Sequence, residues 1–255
     1  MLFDTHAHLN DDAFKDDLEE TIQRAKDNGV KLINVVGFDD KSIKSALEIA
    51  SKYDEIYLTV GWHPVEAIDF TDEKYEMIKN IALTNEKVVA IGEIGLDYYW
   101  DKSPKDIQKY VFRKMITLAK EVNKPIVIHC RDAVGDVLEI LKEENAKEIG
   151  GIMHSFSGSV DSMKIALKEN FYISLAGPVT YKNAKQPKEV AKACPLDKLL
   201  IETDCPYLPP VPFRGKRNET GYVKYVAQEI ADLRDMSYEE LVKATYTNAC
   251  KLFKI

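Results

Sequence analysis

Lys87–Asp97 reads KVVAIGEIGLD. Its apolar residues run on without alternating with polar ones, the pattern of a parallel strand buried on both faces. Seven more segments have this character. Upstream lie MLFDTHAH at 1–8, VKLINVVG at 30–37 and IYLTVGWHP at 56–64. Downstream lie KPIVIHC at 124–130, GGIMHSF at 150–156, NFYISLAG at 170–177 and DKLLIETDC at 197–205. The segments between them predict helices over 14–28, 40–52, 72–85, 104–122, 132–145, 159–169 and 185–193, with two more at 219–233 and 237–252. Alternating strands and helices imply a parallel sheet with right-handed crossovers. Eight such units in about 250 residues have the size of one (β/α)8 barrel. The expected fold is therefore α/β, a TIM barrel with an extra C-terminal helix, spanning 1–255 as a single domain. An open doubly wound sheet is the competing architecture. It lacks support, because no G-x-G-x-x-G follows the first strand.

Bulk properties narrow the function. The chain carries 35 Lys+Arg against 42 Asp+Glu, 35 − 42 = −7, so no global basic footprint for nucleic acid exists. That counts against a passive DNA-binding module but not against an enzyme whose bound ions supply local positive charge. Cys130, Cys194, Cys205 and Cys250 form no C-x-x-C pair and read as buried small hydrophobes in a reducing cytosol. No apolar run approaches a membrane span, and polar residues from Asp4 onward exclude a signal peptide. The expected location is the cytoplasm, without a membrane partner.

Only 5 of 255 residues are His, and two of them, His6 and His8, stand one residue apart at the end of the first strand. Strand residues i and i+2 point the same way, so both imidazoles project together. Glu93, His129, His154 and Asp204 likewise lie where apolar strands stop. In a barrel those ends converge on one mouth, where such enzymes keep their active sites. Four neutral imidazoles and two carboxylates could hold two divalent ions.

In order and at barrel spacing, the motifs FDTHAHL, VGWHP, IGEIGLDYY, PIVIHCRDA, MHSFSG and IETDCPYLPP resemble the TatD-type metal-dependent hydrolases and deoxyribonucleases, a branch of the amidohydrolase-like barrels. The resemblance covers essentially the whole chain. It implies that His6, His8, Glu93, His129, His154 and Asp204 bind metal. It also implies a nuclease that removes nucleotides from the 3′ end of DNA. One stretch departs from the family: after Arg217-Asn218-Glu219 stand Thr220-Gly221, where Pro and a small residue usually follow.

Roles follow from chemistry. Glu93, with two oxygens, is the expected bridge. His6 and His8 complete one ion with Glu93 and Asp204, and His129 and His154 complete the other. A water held there would lose a proton near neutral pH, with Asp204 placed to take it, so Glu93 and Asp204 are the expected catalytic carboxylates. Imidazole ligands suit Zn, Mn, Fe or Ni, whereas the family's nucleases are described with Mg.

Expected substrate contacts are His63, Arg131 and Arg217. His63 is read either as orienting substrate or as packed against Trp62 and Pro64. Arg131 reads as a phosphate contact or a helix-start ion pair, and Asp4 as a partner that orients His6. Tyr98, Tyr99 and Trp100 could stack on bases but more often such a cluster packs a loop. Arg214, Lys216 and Arg217 read as a phosphate-contacting loop or a solvated one. SFSG after His154 reads as an anion-holding or capping helix start. The favoured substrate is a single-stranded DNA end. A small-molecule amidohydrolase or esterase, and a non-catalytic metal-stabilised barrel that binds a partner protein, are the alternatives.

Overall fold

A computed structural model of the chain describes residues 1–100 and 102–255. Eight parallel strands pair in sequence order: β1 (Leu2–Ala7), β2 (Val30–Gly37), β3 (Ile56–Val60), β4 (Val88–Asp97), β5 (Ile126–Arg131), β6 (Gly151–Met153), β7 (Phe171–Leu175) and β8 (Leu199–Ile201). Helices α1 (Leu18–Asp27), α2 (Asp40–Ala50), α3 (Asp72–Thr84), α4 (Lys105–Glu121), α5 (Val134–Glu143), α6 (Val160–Lys168), α7 (Lys185–Ala193) and α8 (Val223–Leu233) follow the strands in turn, and α9 (Tyr238–Phe253) comes last. This is the TIM barrel with an additional C-terminal helix. No helix of the described residues is long and apolar enough to cross a membrane.

The last seam of the barrel closes differently from the others. The final strand is only three residues long, and no strand ladder joins it to the first. Instead the Thr5 hydroxyl donates to the Ile201 carbonyl at 3.0 Å, and the buried Asp4 carboxylate accepts the Thr203 N–H at 2.8 Å and its hydroxyl at 2.6 Å. Higher up, Asp204 N–H donates to the His6 carbonyl and His8 N–H to the Cys205 carbonyl. Backbone groups at this seam are thus satisfied by side chains and single bridges, as buried polar groups must be.

Every strand contributes to one apolar cluster—Phe3, Leu32, Tyr57, Val89 with Ala90, Val127, Ile152, Tyr172 and Leu200—that packs with Tyr246, Ala249 and Phe253 of α9. Phe3 stacks obliquely on Phe253 at 5.7 Å between ring centroids. The extra helix therefore plugs the N-terminal end of the barrel. Counting up by two from these residues, the strand period brings Val127 to His129, Ile152 to His154, and Leu200 to Glu202 and Asp204. In β5, β6 and β8 the plug and the polar mouth are thus two layers of the same rows, whereas in β1 the count from Phe3 leads to Thr5 and Ala7, and His6 and His8 lie across a register irregularity between Asp4 and Ala7.

Candidate metal centre

The row of inward residues puts polar groups at the mouth, and β4 shows how the backbone aims one of them. Glu93 sits inside this strand rather than at its end, within a register irregularity against β5 between Ile91 and Ile94. Such a bulge re-aims a side chain. Gly95 makes it possible: its φ of +139° suits glycine, and a Cβ there would lie 2.0 Å from the His129 carbonyl oxygen. At the other edge, Asp204 holds a left-handed φ of 58° in the turn after β8, fixed by the Asp204 N–H bond to His6.

The six residues expected to bind metal lie together. His6 Nε2 is 3.2 Å from His8 Nε2 and 3.4 Å from Glu93 Oε2, and His8 Nε2 is 3.4 Å from Asp204 Oδ1. Glu93 turns its other oxygen, Oε1, to His129 Nδ1 at 2.7 Å and His154 Nε2 at 2.8 Å. His63 Nε2 stands 3.7 Å from the same oxygen. In a tetrahedral shell with bonds of ~2.0–2.1 Å, neighbouring ligand atoms sit roughly 3.3 Å apart. The nearest distances within the first set, 3.2–3.4 Å, have that spacing. The triads His6–His8–Glu93, His6–His154–Glu202 and His63–Glu93–His129 each present three donor atoms close enough to share an ion. The residues present therefore fit divalent metal.

Electrostatics agree with a dense buried cluster. Burial would raise the Glu93 carboxyl, but charged His154 and hydrogen bonds from His129, His154 and His6 outweigh it and hold Glu93 well below the usual carboxylate range. His154 is pushed well above the ordinary imidazole value against the cost of its burial, because Glu93 and Glu202 face it. His6 is lowered by burial and by His154. His63 is lowered to about 3, chiefly by burial and then by His129, so it is neutral. Its Nδ1 accepts the Val65 N–H at 3.1 Å. A neutral ring accepting at Nδ1 carries its proton on Nε2 and so faces the cluster as a donor; His63 joins the His63–Glu93–His129 triad as a ligand only if it gives up that proton.

Two carboxylates of the cluster escaped the sequence reading. Asp97 Oδ2 lies 2.8 Å from His129 Nε2, while its Oδ1 accepts the N–H groups of Tyr99 and Trp100 at 2.9 Å each. Glu202 Oε1 lies 3.1 Å from His154 Nδ1 and accepts the Ser155 N–H at 2.7 Å. Carboxylates behind imidazole ligands fix ring orientation and tautomer. The signal was present: Asp97 follows Glu93 by four and Glu202 precedes Asp204 by two, the same-face spacing that singled out His6 and His8.

Other expectations need revision. Asp4 reaches His6 through the backbone and not the ring: its Oδ1 accepts the His6 N–H at 3.4 Å, while its two oxygens also bond Thr203. Arg217 is not free for a phosphate. Its guanidinium donates to both Asp17 oxygens at 2.7 Å, to Glu219 at 3.0 Å and to the Ala13 carbonyl at 2.6 Å, and lies over the Phe14 ring. Neighbouring Asn218 donates to the Thr203 and Tyr207 carbonyls, clamping the loop that carries Asp204. Gly221, at the departure from the family pattern, packs against α1, where an added Cβ would lie 3.0 Å from Asn28 Nδ2. Arg214 stacks on Tyr181 at 4.4 Å. Arg131 is exposed at the end of β5, two residues beyond His129. Ser159 caps α6, the helix that SFSG leads into, through Ser162 N–H.

The sequence model of the TatD related DNase family matches residues 3–254. YabD of Bacillus subtilis (strain 168), described as an uncharacterized metal-dependent hydrolase, is 61% identical over 255 residues, covering 100% of both chains. YcfH of Escherichia coli (strain K12), described in the same words, is 37% identical over 258 residues, covering 100% of this chain and 96% of its own. The crystal structure of YjjV, a TatD homologue from Escherichia coli K12, superposes with a TM-score of 0.94 at 29% identity, covering 100% of this chain and 98% of that one. Eight strands in barrel order, a buried histidine–carboxylate cluster at their C-terminal ends and these relatives lead to one assignment: the chain belongs to the TatD related DNase family and is a metal-dependent hydrolase.

Proposed function

We propose that the chain is a deoxyribonuclease, a phosphodiesterase that removes nucleotides from the 3′ end of single-stranded DNA. The observation that carries the reading is Glu93, whose Oε2 serves His6 and His8 while Oε1 serves His129 and His154. One carboxylate thereby joins two half-sites, an arrangement suited to up to two divalent ions. The family description supplies the support for DNA as substrate.

Bound divalent ions would acidify a water, polarise the phosphoryl oxygen and offset charge on the leaving oxygen. The chain's own residues do the rest. Asp204, only partly covered and 3.4 Å from His8 Nε2, is placed to accept a proton. His63 offers its Nε2–H to an oxygen entering the mouth. Asp97 and Glu202 keep His129 and His154 from turning away. Arg131 is the basic group placed to meet a phosphate, a place Arg217 cannot take.

The test uses single-stranded oligonucleotides labelled at the 5′ or the 3′ end, with the protein loaded separately with Zn, Mn, Ni, Fe or Mg. Metal-dependent release of nucleotides from the 3′ end supports the proposal. The acidic net charge of −7 favours the small-molecule alternative. Hydrolysis of a panel of esters and amides with untouched DNA would establish that alternative instead.

A further inference from the structure

Beside the metal centre stands an exposed aromatic surface that the reaction described so far does not use. Tyr99 and Trp100 are 55% and 52% exposed, high for residues of that size. Their rings meet edge to face at 5.0 Å, and the Arg131 guanidinium lies 3.9 Å from the Tyr99 ring centre and 5.8 Å from that of Trp100. The group is tied to the cluster by covalent and hydrogen-bonded links. Asp97 grips the Tyr99 and Trp100 N–H groups with one oxygen and faces His129 with the other. In the β4–β5 ladder Asp97 pairs with Arg131, and Gly95 with His129. Arg131 therefore stands two residues above His129 on the same side of β5, roughly 7 Å further along the strand at ~3.3 Å per residue.

A loop-packing role accounts for Tyr98, whose hydroxyl bonds Asp136 and whose ring lies under Lys105. It does not account for Trp100, half of which faces solvent. We propose that Trp100 stacks on a nucleobase of the substrate, with Tyr99 holding Arg131 between that base and the metal centre to meet its phosphate. The pairing matches a nucleotide's own layout, an anionic group near the ions and a flat π-face one step away. Stacking on an aromatic ring is tolerant of base identity, so the site reads the presence of a base rather than its sequence. This inference rests on the nuclease proposal and adds the base as a required part of the substrate.

The experiment compares metal-loaded wild type, Trp100→Ala and Trp100→Phe on two oligonucleotides of equal length. One carries an ordinary 3′-terminal nucleotide and the other an abasic residue there. Trp100→Ala is expected to raise KM on the ordinary strand by roughly 5- to 150-fold, the range for one stacked base, and to leave the abasic strand nearly unchanged. Trp100→Phe should restore most of the difference. Equal effects on both strands, or none on either, would overturn the subsite.

A second readout needs no turnover. Trp62 is buried, so tryptophan emission quenched by an added ligand reports on Trp100. Deoxyadenosine monophosphate should quench it and deoxyribose phosphate should not. If wild type degrades no DNA yet shows this selective quenching, the nuclease reading fails and the base site stands. If DNA is degraded from its end while quenching and base preference are absent, the base site fails and the nuclease reading stands.

Discussion

Glu93 is the residue on which the site turns, because both of its oxygens are committed to different histidine pairs. Replacing it with Gln keeps the shape and removes the charge that two half-sites share. Glu93→Gln is expected to lower turnover by several orders of magnitude while far-UV circular dichroism stays unchanged, since a metal-activated nucleophile supplies that much rate. Asp97→Asn and Glu202→Gln act through His129 and His154 instead. Each should cost about 10- to 100-fold in metal affinity or activity, measured by competition with a chromophoric chelator and by initial rates. His63→Ala removes one donor and should be milder than Glu93→Gln; equal severity would make His63 a ligand. At this scale His6, His8, Glu93, His129, His154 and Asp204 could be picked out in the sequence because each interrupts or ends an apolar strand. Asp97 and Glu202 were overlooked because they stand beside more conspicuous partners. Arg217 was misread because sequence shows that a cation is present and not which carboxylates hold it. Asp17, 200 positions away, takes both arms of its fork.

Elements position these side chains, and two of them carry testable consequences. In β4, a Gly95→Ala substitution would place a methyl group on the His129 carbonyl in a backbone conformation that L residues rarely adopt. A loss of about 3 kcal/mol or more is expected in urea unfolding, with activity lost because His129 moves. At the loop after β8, Arg217 joins Asp17 and Glu219, and Arg24 joins the same two acids, tying α1 to the segment that carries Asn218. These groups are partly exposed, so Arg217→Ala should cost only about 1 kcal/mol, a Tm fall of roughly 2–4 °C. The salt dependence of DNA hydrolysis should keep its slope, whereas Arg131→Gln should flatten it. Asp17 is held well below its ordinary value of 3.8, first by its hydrogen bond from Arg217. A carboxyl depressed in the fold contributes stability that is present above that ordinary value and is lost as pH falls toward its lowered one. The Tm gap between wild type and Arg217→Ala should therefore be full at pH 6 and narrow below about pH 4. The strands were legible in the sequence to within a few residues because continuous apolar runs dictate them. The start of α1 was not: a helix from 14 was expected, but a 3-10 turn at Asp12–Phe14 precedes a helix beginning at Leu18. Asp16-Asp17 break the apolar pattern there, and Asp17 serves the ion-pair network instead.

Across the whole molecule, the barrel joins an apolar plug at one end to a charged mouth at the other. Closure at β1 and β8 passes through Asp4, Thr203, His6 and Asp204, so the seam and the proposed metal ligands share residues. Metal should consequently stabilise the fold. At free metal 100-fold above its dissociation constant the gain is about 2.7 kcal/mol per site, visible as a rise in Tm that a chelator reverses. Repetition of strand and helix made the barrel legible, whereas the plug by α9 was not: the helix was expected, but its packing against Phe3 and Leu200 depends on contacts between distant segments. The closing measurement is the rate of nucleotide release from 3′-labelled single-stranded DNA by chelator-stripped protein, followed as divalent metal is added back in known equivalents. No release without metal, a rise that saturates by two equivalents per chain, and no such rise in Glu93→Gln are the predicted results. Full turnover in the stripped protein, or DNA left intact at every metal loading while a small ester or amide is cleaved, would contradict the account.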